Sequence, residues 1–404
     1  MEISMQIDKS SWEKVKLIDV VTKKEENDKE NAKNRFERFI KVEHLNAESL
    51  HIKRWGNQNK DELPPTFYKV FRKGQVLFPT RNPHLRRTAL ASFDGICGEK
   101  TLTLEPNEEK VLPEFLPFLF HSNEFYQHTT SSIVGSTNPH VRWRDVASYE
   151  FLLPPKDQQA KLAELLWAME EVVENDLTLL DKLSLTLDSD IESRIHGVTL
   201  AGHTIQQVID ELSEYKGVGT LSQFGKIFKG KGITKSELVD IGLPCVRYGE
   251  LYTKHHRVIR KFYSFITDES SANSIKLKQN DVLFAGSGET ISEIGKSAAF
   301  ISDEEVYAGG DILIFRPYDM DGIYLGYLLN SQLVRQQLNK FGTGATVMHV
   351  YASDIEKIKV PIFEKDEQIN IGQHLESIAD NISNLNKKIE NSQKLKKSLI
   401  NQIF

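Results

Sequence analysis

Residues 154–191 read PPKDQQAKLAELLWAMEEVVENDLTLLDKLSLTLDSDI. Two prolines open this run, where a helix tolerates them, and no further Gly or Pro occurs before Gly197. Apolar residues recur at steps of three and four, which is the spacing of a narrow seam on one helix face. They are Leu162, Leu166, Met169, Val173, Leu180, Leu183, Leu187 and Ile191, and the charged Asp176 interrupts the series. The pattern predicts a helix about 55 Å long, which needs a packing partner.

Residues 361–404 repeat this pattern and are the predicted partner. They read PIFEKDEQINIGQHLESIADNISNLNKKIENSQKLKKSLINQIF. Any two long helices can be brought into register by their apolar period, so the rest of the chain must support the repeat. At an offset of 209, Leu162, Leu166, Met169, Val173 and Leu180 correspond to Ile371, Leu375, Ile378, Ile382 and Ile389. We predict that these ten residues form the seam of a coiled coil within the chain.

The segments before the two helices repeat as well. At the same offset, Gly135, Thr137, His140, Val141 and Asp145 correspond to Gly344, Thr346, His349, Val350 and Asp354. At an offset of 206, residues 76–78 and 40–41 correspond to residues 282–284 and 246–247. The chain is therefore interpreted as a tandem duplication. Its predicted parts are a globule at 1–153, a helix at 154–196, a globule at 197–360 and a helix at 361–404.

Composition indicates a globular protein with cores of ordinary size. The chain has 404 residues, of which 39% are hydrophobic and 27% charged. Its two cysteines, Cys97 and Cys245, are expected to be buried thiols rather than a disulfide or a metal site. No secretory leader and no apolar run of transmembrane length is recognised, so a cytoplasmic location is expected.

Charge is unevenly distributed along the chain, although the net charge is −6. Residues 35–100 contain thirteen Lys and Arg against seven Asp and Glu, and residues 226–300 contain twelve against eight. Residues 151–194 contain four basic against ten acidic side chains. Two basic globules on an acidic connector suit an anionic ligand held at two places, although two ordinary surfaces with uneven charge remain an alternative.

Each globule is predicted to be α+β. The segments RFIKVEHL at Arg38–Leu45 and PCVRYGEL at Pro244–Leu251 have the apolar alternation of strands. A polar and basic loop follows a buried strand at residues 80–87 of the first globule, and its counterpart follows a buried strand at residues 285–290 of the second. Residues 228–232, FKGKG, form a further basic loop.

Catalytic motifs are not supported. The run GETISEIGKS at residues 288–297 resembles the end of a phosphate-binding loop, but Thr290 occupies the position where that loop needs glycine. Neither HExxH nor CxxC occurs, so no metal site is expected. The repeated His140 and His349 could form a catalytic pair, but loop or phosphate contacts are favoured for these histidines and for Thr137 and Thr346. The sequence therefore indicates binding rather than catalysis.

The chain resembles the specificity subunit of type I restriction–modification systems over nearly its full length. The resemblance depends on the tandem halves, on Leu-Pro-Pro-x-x-x-Gln at residues 153–159, on Val-Pro-Ile with a later Gln at residues 360–368, and on Asp-Val-Leu-Phe at residues 281–284. It implies two target-recognition globules that each read one half of a bipartite DNA site. It also implies that the two helices pack as an antiparallel coiled coil and set the spacing between the halves.

The resemblance further implies partners. Two methyltransferase subunits, which bind S-adenosylmethionine, and motor/nuclease subunits would join this chain in a complex that defends against phage. The chain itself would bind no cofactor and would not be catalytic. The connector at residues 195–221 departs from the family pattern because it contains an additional predicted helix. The start of the second globule is therefore the least defined boundary.

DNA contacts are predicted in the loops of both globules. Arginine suits guanine and asparagine suits adenine by donor and acceptor geometry, while lysines supply phosphate contacts. The predicted residues are Arg81, Asn82, His84, Arg86, Arg87, Lys229, Lys231, Arg247, Tyr248, Ser287, Glu289 and Thr290. A scaffold that holds two partner proteins, or an enzyme with an unrecognised site, are the alternatives. Binding to DNA with a steep salt dependence would separate the first alternative from a DNA reader.

Overall fold

The computed structural model describes residues 7–197, 202–288, 295–341 and 348–404. Two compact units are present, one formed by residues 1–177 with 387–404 and the other by residues 178–386. Both are α+β, and two long helices, Lys156–Ile191 and Lys365–Ile403, each contribute to both units. The predicted two-domain α+β fold with two long helices is therefore confirmed.

The first unit contains two main sheets and one two-stranded ribbon. The five-stranded sheet has the order Glu26–Asn27, Phe67–Phe71, Gly95–Gly98, Arg38–Ile40, Gly56–Asn57. The four-stranded sheet has the order Val21–Lys24, Thr101–Pro106, Val76–Pro79, Ala89–Leu90, and Glu13–Lys16 pairs with Glu150–Leu153. The short helices are Leu17–Val20, Ala32–Arg35, Val42–His44, Pro83–Leu85, Leu116–Leu119, Asn123–Ser131 and Trp143–Ala147.

The second unit also has two main sheets, here of five strands each. One has the order Gly225–Lys229, Ile312–Pro317, Val282–Ala285, Ser297–Phe300, Arg257–Ile259. The other has the order Leu238–Val239, Ser264–Ile266, Leu243–Val246, Tyr307–Ala308, Ile275–Lys276. Two ribbons pair Val218–Thr220 with Lys359–Pro361 and Ser287–Gly288 with Met348–His349. The helices are Glu192–His196, Ile205–Tyr215, Leu221–Phe224, Lys235–Glu237, Tyr248–Thr253, Asp268–Ser271, Gly322–Leu328, Gln332–Phe341 and Ala352–Ile355.

The last turns of each long helix belong to a hydrophobic core. Ile403 and Phe404 are buried in the core of the first unit, where the Phe404 ring lies 5.0 Å from that of Phe115. Ile191 and Ile195 are buried in the core of the second unit. Burial of such side chains is the main favourable contribution to folding. Each unit therefore includes one helix end in its core, and in the first unit that end comes from a distant part of the chain.

The predicted seam residues face these cores to different extents. The fully buried members are Leu166, Val173, Ile371, Leu375 and Ile389, and the half-buried members are Leu162, Met169, Leu180, Ile378 and Ile382. Asp176, the charge within the apolar series, is buried in the first unit and accepts a hydrogen bond of 2.8 Å from the Lys388 ammonium. Glu170 is likewise buried and paired with Lys396. The charged interruption is therefore neutralised by the other long helix.

One glutamine at the start of each long helix fastens that helix to its unit. The Gln159 side chain accepts a hydrogen bond from the Leu112 amide at 2.8 Å and donates one to the Pro154 carbonyl at 2.8 Å. Gln368 does the same with Asp321 at 3.0 Å and Phe363 at 2.9 Å. Every partner is offset by 209 residues, and both glutamines are buried. The repeated glutamine of the sequence motif is thus a structural residue that satisfies buried backbone groups.

The two predicted strands at residues 38–45 and 244–251 are only half correct. The strands end at Ile40 and Val246, and the next residues form the helices Val42–His44 and Tyr248–Thr253. The cause is local capping, because the Glu250 carboxylate accepts a hydrogen bond from the Arg247 amide at 3.1 Å. The apolar alternation continues past this point, but the capped backbone turns away from the sheet.

Candidate nucleic-acid interface

The repeated histidines pair with the predicted DNA-contacting loops in both units. In the first unit His140 forms an antiparallel bridge with Arg81, and in the second His349 pairs with Ser287. The next residues add matching backbone hydrogen bonds, from the Val141 amide to Thr80 at 3.0 Å and from the Val350 amide to Gly286 at 2.9 Å. Two segments that the sequence presents separately therefore form one ribbon, and the duplication preserves it.

Arg81 and Arg86 differ in their surroundings within the loop of the first unit. The Arg86 guanidinium donates to the Glu48 carboxylate at 2.8 Å and to Asn123 at 2.7 Å, and it lies 5.0 Å from the Tyr126 ring centre. Arg81 is exposed, and within the described residues its guanidinium has no hydrogen bond or ion pair. Arg81 is therefore available to a ligand, whereas Arg86 holds the loop in place.

The remaining predicted residues of the first unit lie around this loop. Asn82 adopts the left-handed backbone conformation, with φ 49°, and its backbone amide donates a hydrogen bond to the Pro139 carbonyl at 3.2 Å. His84 and Thr137 are exposed, and Arg87 donates to the Val42 carbonyl at 3.4 Å. The His140 ring donates to the Asn138 carbonyl at 2.9 Å, which orients it within the turn. The structure thus brings all the predicted residues of the first unit to one loop and its ribbon.

The base of the loop rests on a buried histidine. The His121 ring donates a hydrogen bond of 3.1 Å to the Thr88 carbonyl, and the Thr88 hydroxyl contacts the Tyr126 hydroxyl at 2.9 Å. Burial, with a contribution from the Lys396 charge, lowers the pKa of His121 from 6.5 to about 4. The charge of Arg86 also lowers the pKa of His121, whereas the charge of Glu48 raises it. His121 is therefore neutral in the folded protein near pH 7.

Stability of the folded chain is expected to fall when the pH is lowered from 6.5 toward 4. The unfolded chain then binds a proton at His121 that the folded chain excludes, because its folded pKa is about 4. At about 1.4 kcal/mol per pH unit the loss between pH 6.5 and 5 is roughly 2 kcal/mol. Denaturant unfolding at pH 7 and pH 5 measures it, with His121→Asn as the matched control. The expectation is wrong if wild type and variant lose the same free energy.

The predicted residues of the second unit form two groups that adjoin each other. The Lys229 ammonium lies 3.6 Å from the Asp311 carboxylate, and Lys231 is exposed on the following loop. The Gly310 amide donates to Gly232 at 3.0 Å, and the Gly309 amide donates to Val246 at 3.0 Å, next to Arg247. A β-carbon at Gly230 would lie 2.1 Å from the Gly309 carbonyl oxygen, so glycine is required for this approach. The basic loop and Arg247 are therefore neighbours.

The second group surrounds Ser287. The Tyr248 and Tyr252 hydroxyls donate to the Ser287 carbonyl, and the Ser287 hydroxyl donates to the Tyr248 hydroxyl at 2.9 Å. The His349 ring is exposed and stacks on the exposed Tyr351 ring, with centres 6.5 Å apart. Glu289, Thr290 and Thr346 lie outside the described residues. Tyr248 thus acts on the loop backbone, Arg247 is half-buried beside it, and the His349 ring is exposed.

A cluster that sequence spacing does not reveal lies at the first long helix. Single ligand atoms of His51, Glu170 and Glu174 lie within 4.8 Å of one another, which is a geometry that can hold a metal ion. Lysines already pair with both carboxylates, Lys396 with Glu170 and Lys53 with Glu174 at 2.7 Å. We interpret the cluster as an ion-pair network between a loop and the two helices.

The two units and their long helices define a class of protein. It is a duplicated α+β binding protein with one exposed, partly basic loop system in each half. A family model described as "Type I restriction modification DNA specificity domain" matches residues 9–183 and 213–394. The chain belongs to this family. The predicted function, sequence-specific recognition of DNA in a type I restriction–modification system, is thereby confirmed. No helix within the described ranges has the length and apolarity to cross a membrane.

Individual relatives are distant. The MjaVIII specificity subunit of Methanocaldococcus jannaschii is 22% identical over 319 residues, which cover 77% of this chain and 73% of that protein. The HindI specificity subunit of Haemophilus influenzae is 29% identical over 136 residues, which cover 32% and 29%. The solved S subunit of a type I system from M. genitalium has a TM-score of 0.62 at 13% identity and covers 100% of this chain and 98% of that one. At this identity the structural likeness shows the fold alone.

Proposed function

We propose that each unit reads one half of an asymmetric bipartite DNA site. The observation that carries this proposal is the repeated ribbon, which has different side chains in its two copies. Arg81 stands opposite His140 in one unit, and Ser287 stands opposite His349 in the other. The same backbone scaffold with different hydrogen-bonding groups suits two different base sequences.

The contacts with DNA follow from which side chains are available. We propose that exposed basic residues near the ribbons, such as Arg81, Lys229 and Lys231, contact phosphates or base edges. Glu289 and Thr290 stay proposals on sequence grounds alone, as does the phosphate-contacting role of Thr346. Arg86, which is paired within the unit, is proposed to act by positioning the loop. Phosphate contacts orient the protein, and base contacts determine sequence.

The two long helices are proposed to form the antiparallel coiled coil that sets the spacer between the half-sites. Asp176 pairs with Lys388 in the first unit, and Asp190 pairs with His374 at 2.5 Å in the second. From Asp176 to Asp190 the first helix advances fourteen residues, and from Lys388 back to His374 the second also spans fourteen. Equal steps in opposite directions support one continuous antiparallel register. Fourteen residues are two heptads, the repeat of a coiled coil.

Partner subunits are proposed to supply catalysis. Two methyltransferase subunits with S-adenosylmethionine, and motor/nuclease subunits, would join this non-catalytic chain in the cytoplasm. Exposed apolar residues on the first long helix suit a packed partner helix, since Leu165 and Val172 lie seven residues apart and are 40% and 45% exposed. In the second unit Leu179 and Leu185 are also exposed.

Sequencing of methylated DNA tests the proposed function. The chain is assembled with its methyltransferase partners and S-adenosylmethionine, and the modified sites are mapped by sequencing. Two different half-sequences separated by a fixed unread spacer are expected. A complex that methylates without a defined motif, or a chain that shows no salt-dependent binding to DNA, would favour the scaffold alternative.

Arg81→Ala is expected to alter recognition in one half-site and to leave thermal stability nearly unchanged, because its guanidinium has no hydrogen bond or ion pair among the described residues. If Arg81 contacts a base, its loss should weaken the binding preference at one base position by about 1–3 kcal/mol. If it contacts a phosphate, its loss should lower the slope of log affinity against log salt concentration by about one. Arg86→Ala is the control, and it should cost about 1 kcal/mol of stability because Glu48 and Asn123 lose a partner. Equal damage to both half-sites by Arg81→Ala would contradict a local role.

A further inference from the structure

Arginines of the first unit differ in whether their guanidinium groups are already occupied. Seven have hydrogen bonds or ion pairs with the unit itself, and most of these partners are carboxylates. They are Arg35, Arg54, Arg72, Arg86, Arg87, Arg142 and Arg144. Arg38 and Arg81 have neither within the described residues, and Arg38 was not among the residues predicted to contact DNA. An unoccupied guanidinium on a basic surface is available to an anionic or base ligand.

Arg38 is held in one orientation although its donors are free. Its guanidinium lies 4.7 Å from the ring centre of Trp55 and 4.9 Å from that of Phe93. The two rings are themselves in edge contact, with centres 5.6 Å apart, and Trp55 is 41% exposed. Cation–π contacts fix the guanidinium without using its N–H groups. Arg38 is half-buried, and the two rings hold its guanidinium in place while its N–H groups have no hydrogen bond within the described residues.

The sheet places these three residues together. Arg38–Ile40 lies between the strands Gly95–Gly98 and Gly56–Asn57, and Phe93 and Trp55 come from the segments that lead into these two strands. A β-carbon at Gly56 would lie 2.1 Å from the Phe39 ring, and one at Gly95 would lie 2.7 Å from the Arg38 carbonyl oxygen. Glycine at both positions permits this close approach. The arrangement is therefore a consequence of the strand packing.

We propose that Arg38 reads a guanine in the half-site of the first unit. A planar guanidinium with free donors matches the O6 and N7 acceptors that guanine presents in the major groove. The exposed Trp55 ring adds an apolar face for an adjacent base. Segment 51–60 around Trp55 contains Lys53, Arg54 and Lys60 and no acidic residue, which favours a close approach of DNA.

The second unit lacks this group. The matching strand pairs of the second unit place Pro244 at the position of Arg38, Tyr263 at that of Trp55 and Glu304 at that of Phe93. The guanine would therefore be read in one half-site only. This inference rests on the proposed reading of one half-site by each unit, and it names one base and one residue within that function.

Mapping methylated sites for Arg38→Gln and Arg38→Ala tests the inference. The unchanged complex is mapped first, because absence of a bipartite motif there would overturn the proposed function rather than the role of Arg38. With Arg38→Ala, preference for one guanine is expected to fall about 5- to 150-fold, and the other half-site should be unchanged. With Arg38→Gln the same position is expected to shift toward adenine, which glutamine reads.

Two controls separate base reading from other roles. Arg54→Ala removes a neighbouring arginine that is hydrogen-bonded to Glu43 and Asn46, and it should leave the motif intact. Trp55→Ala should weaken preference at the same guanine because the guanidinium loses its support. A uniform loss of affinity with a salt slope reduced by about one would show a phosphate contact instead and overturn the proposal. An unchanged motif in Arg38→Gln would also overturn the proposal. This variant keeps a long polar side chain, so it remains usable if Arg38→Ala fails to fold.

Discussion

Insertion of four residues into each long helix is expected to lengthen the permitted DNA spacer by one or two base pairs. Four residues add one helical turn, about 6 Å, against about 3.4 Å per base pair. Asp176 pairs with Lys388, so an insertion after Leu179 is matched by one near Leu385. The apolar positions return to the same face after one turn, with a small change of winding. Both half-sequences should still be read, because neither unit's loops change.

A two-residue insertion at the same places is the matched control. It rotates the following residues by about 200° and should destroy packing and recognition together. An insertion of four residues within residues 179–187 of the first helix alone is expected to change the spacer as well. The methylated motif of each variant decides the matter. An active four-residue variant with an unchanged spacer would show that the helices do not set the distance.

Leu166→Ala is expected to cost about 2–5 kcal/mol of stability, because this side chain is completely buried in the core of the first unit. The adjacent Leu165 is 40% exposed, and Leu165→Ala should change stability by less than about 1 kcal/mol. The two variants remove the same atoms from neighbouring positions of one helix. Urea or guanidinium unfolding measures the difference.

The second long helix provides the corresponding pair. Leu375 is completely buried in the second unit, whereas Leu395 is 45% exposed. Ile382, which the apolar period also predicts to lie on the seam, is half-buried, so Ile382→Ala should cost less than Leu375→Ala. If Leu166→Ala and Leu375→Ala both keep wild-type stability and still assemble, the helices do not pack as described.

Predictions from the sequence succeeded where the signal was local or repeated. The long helices follow from an apolar period without Gly or Pro, and the two-unit architecture follows from the offset of 209 residues. The predicted strands at residues 38–45 and 244–251 failed after their first half. There a helix-capping hydrogen bond between residues three apart in the chain, such as that from the Arg247 amide to the Glu250 carboxylate, outweighs the alternation of apolar side chains.

The sequence predicted the loop that contains the candidate site residues, but it did not predict the role of each residue in that loop. The basic composition of residues 80–87 identifies an exposed loop, yet it cannot separate Arg81 from Arg86. The difference arises from Glu48, Asn123 and Tyr126, which are 37 to 40 residues away in the chain. Repetition singled out His140 and His349, but their strand partners became visible only in the folded ribbon.

The sequence by itself determined the duplication, the two long helices and the family, because each depends on spacing along the chain. Tertiary structure alone decided which charges are occupied and which remain free. The lysine partners of Asp176 and Glu170 lie 212 and 226 residues away, and the two rings around Arg38 come from segments that precede two different neighbouring strands. Hydrogen bonds and ion pairs act over a few ångströms, so distance in space and not in sequence selects these partners.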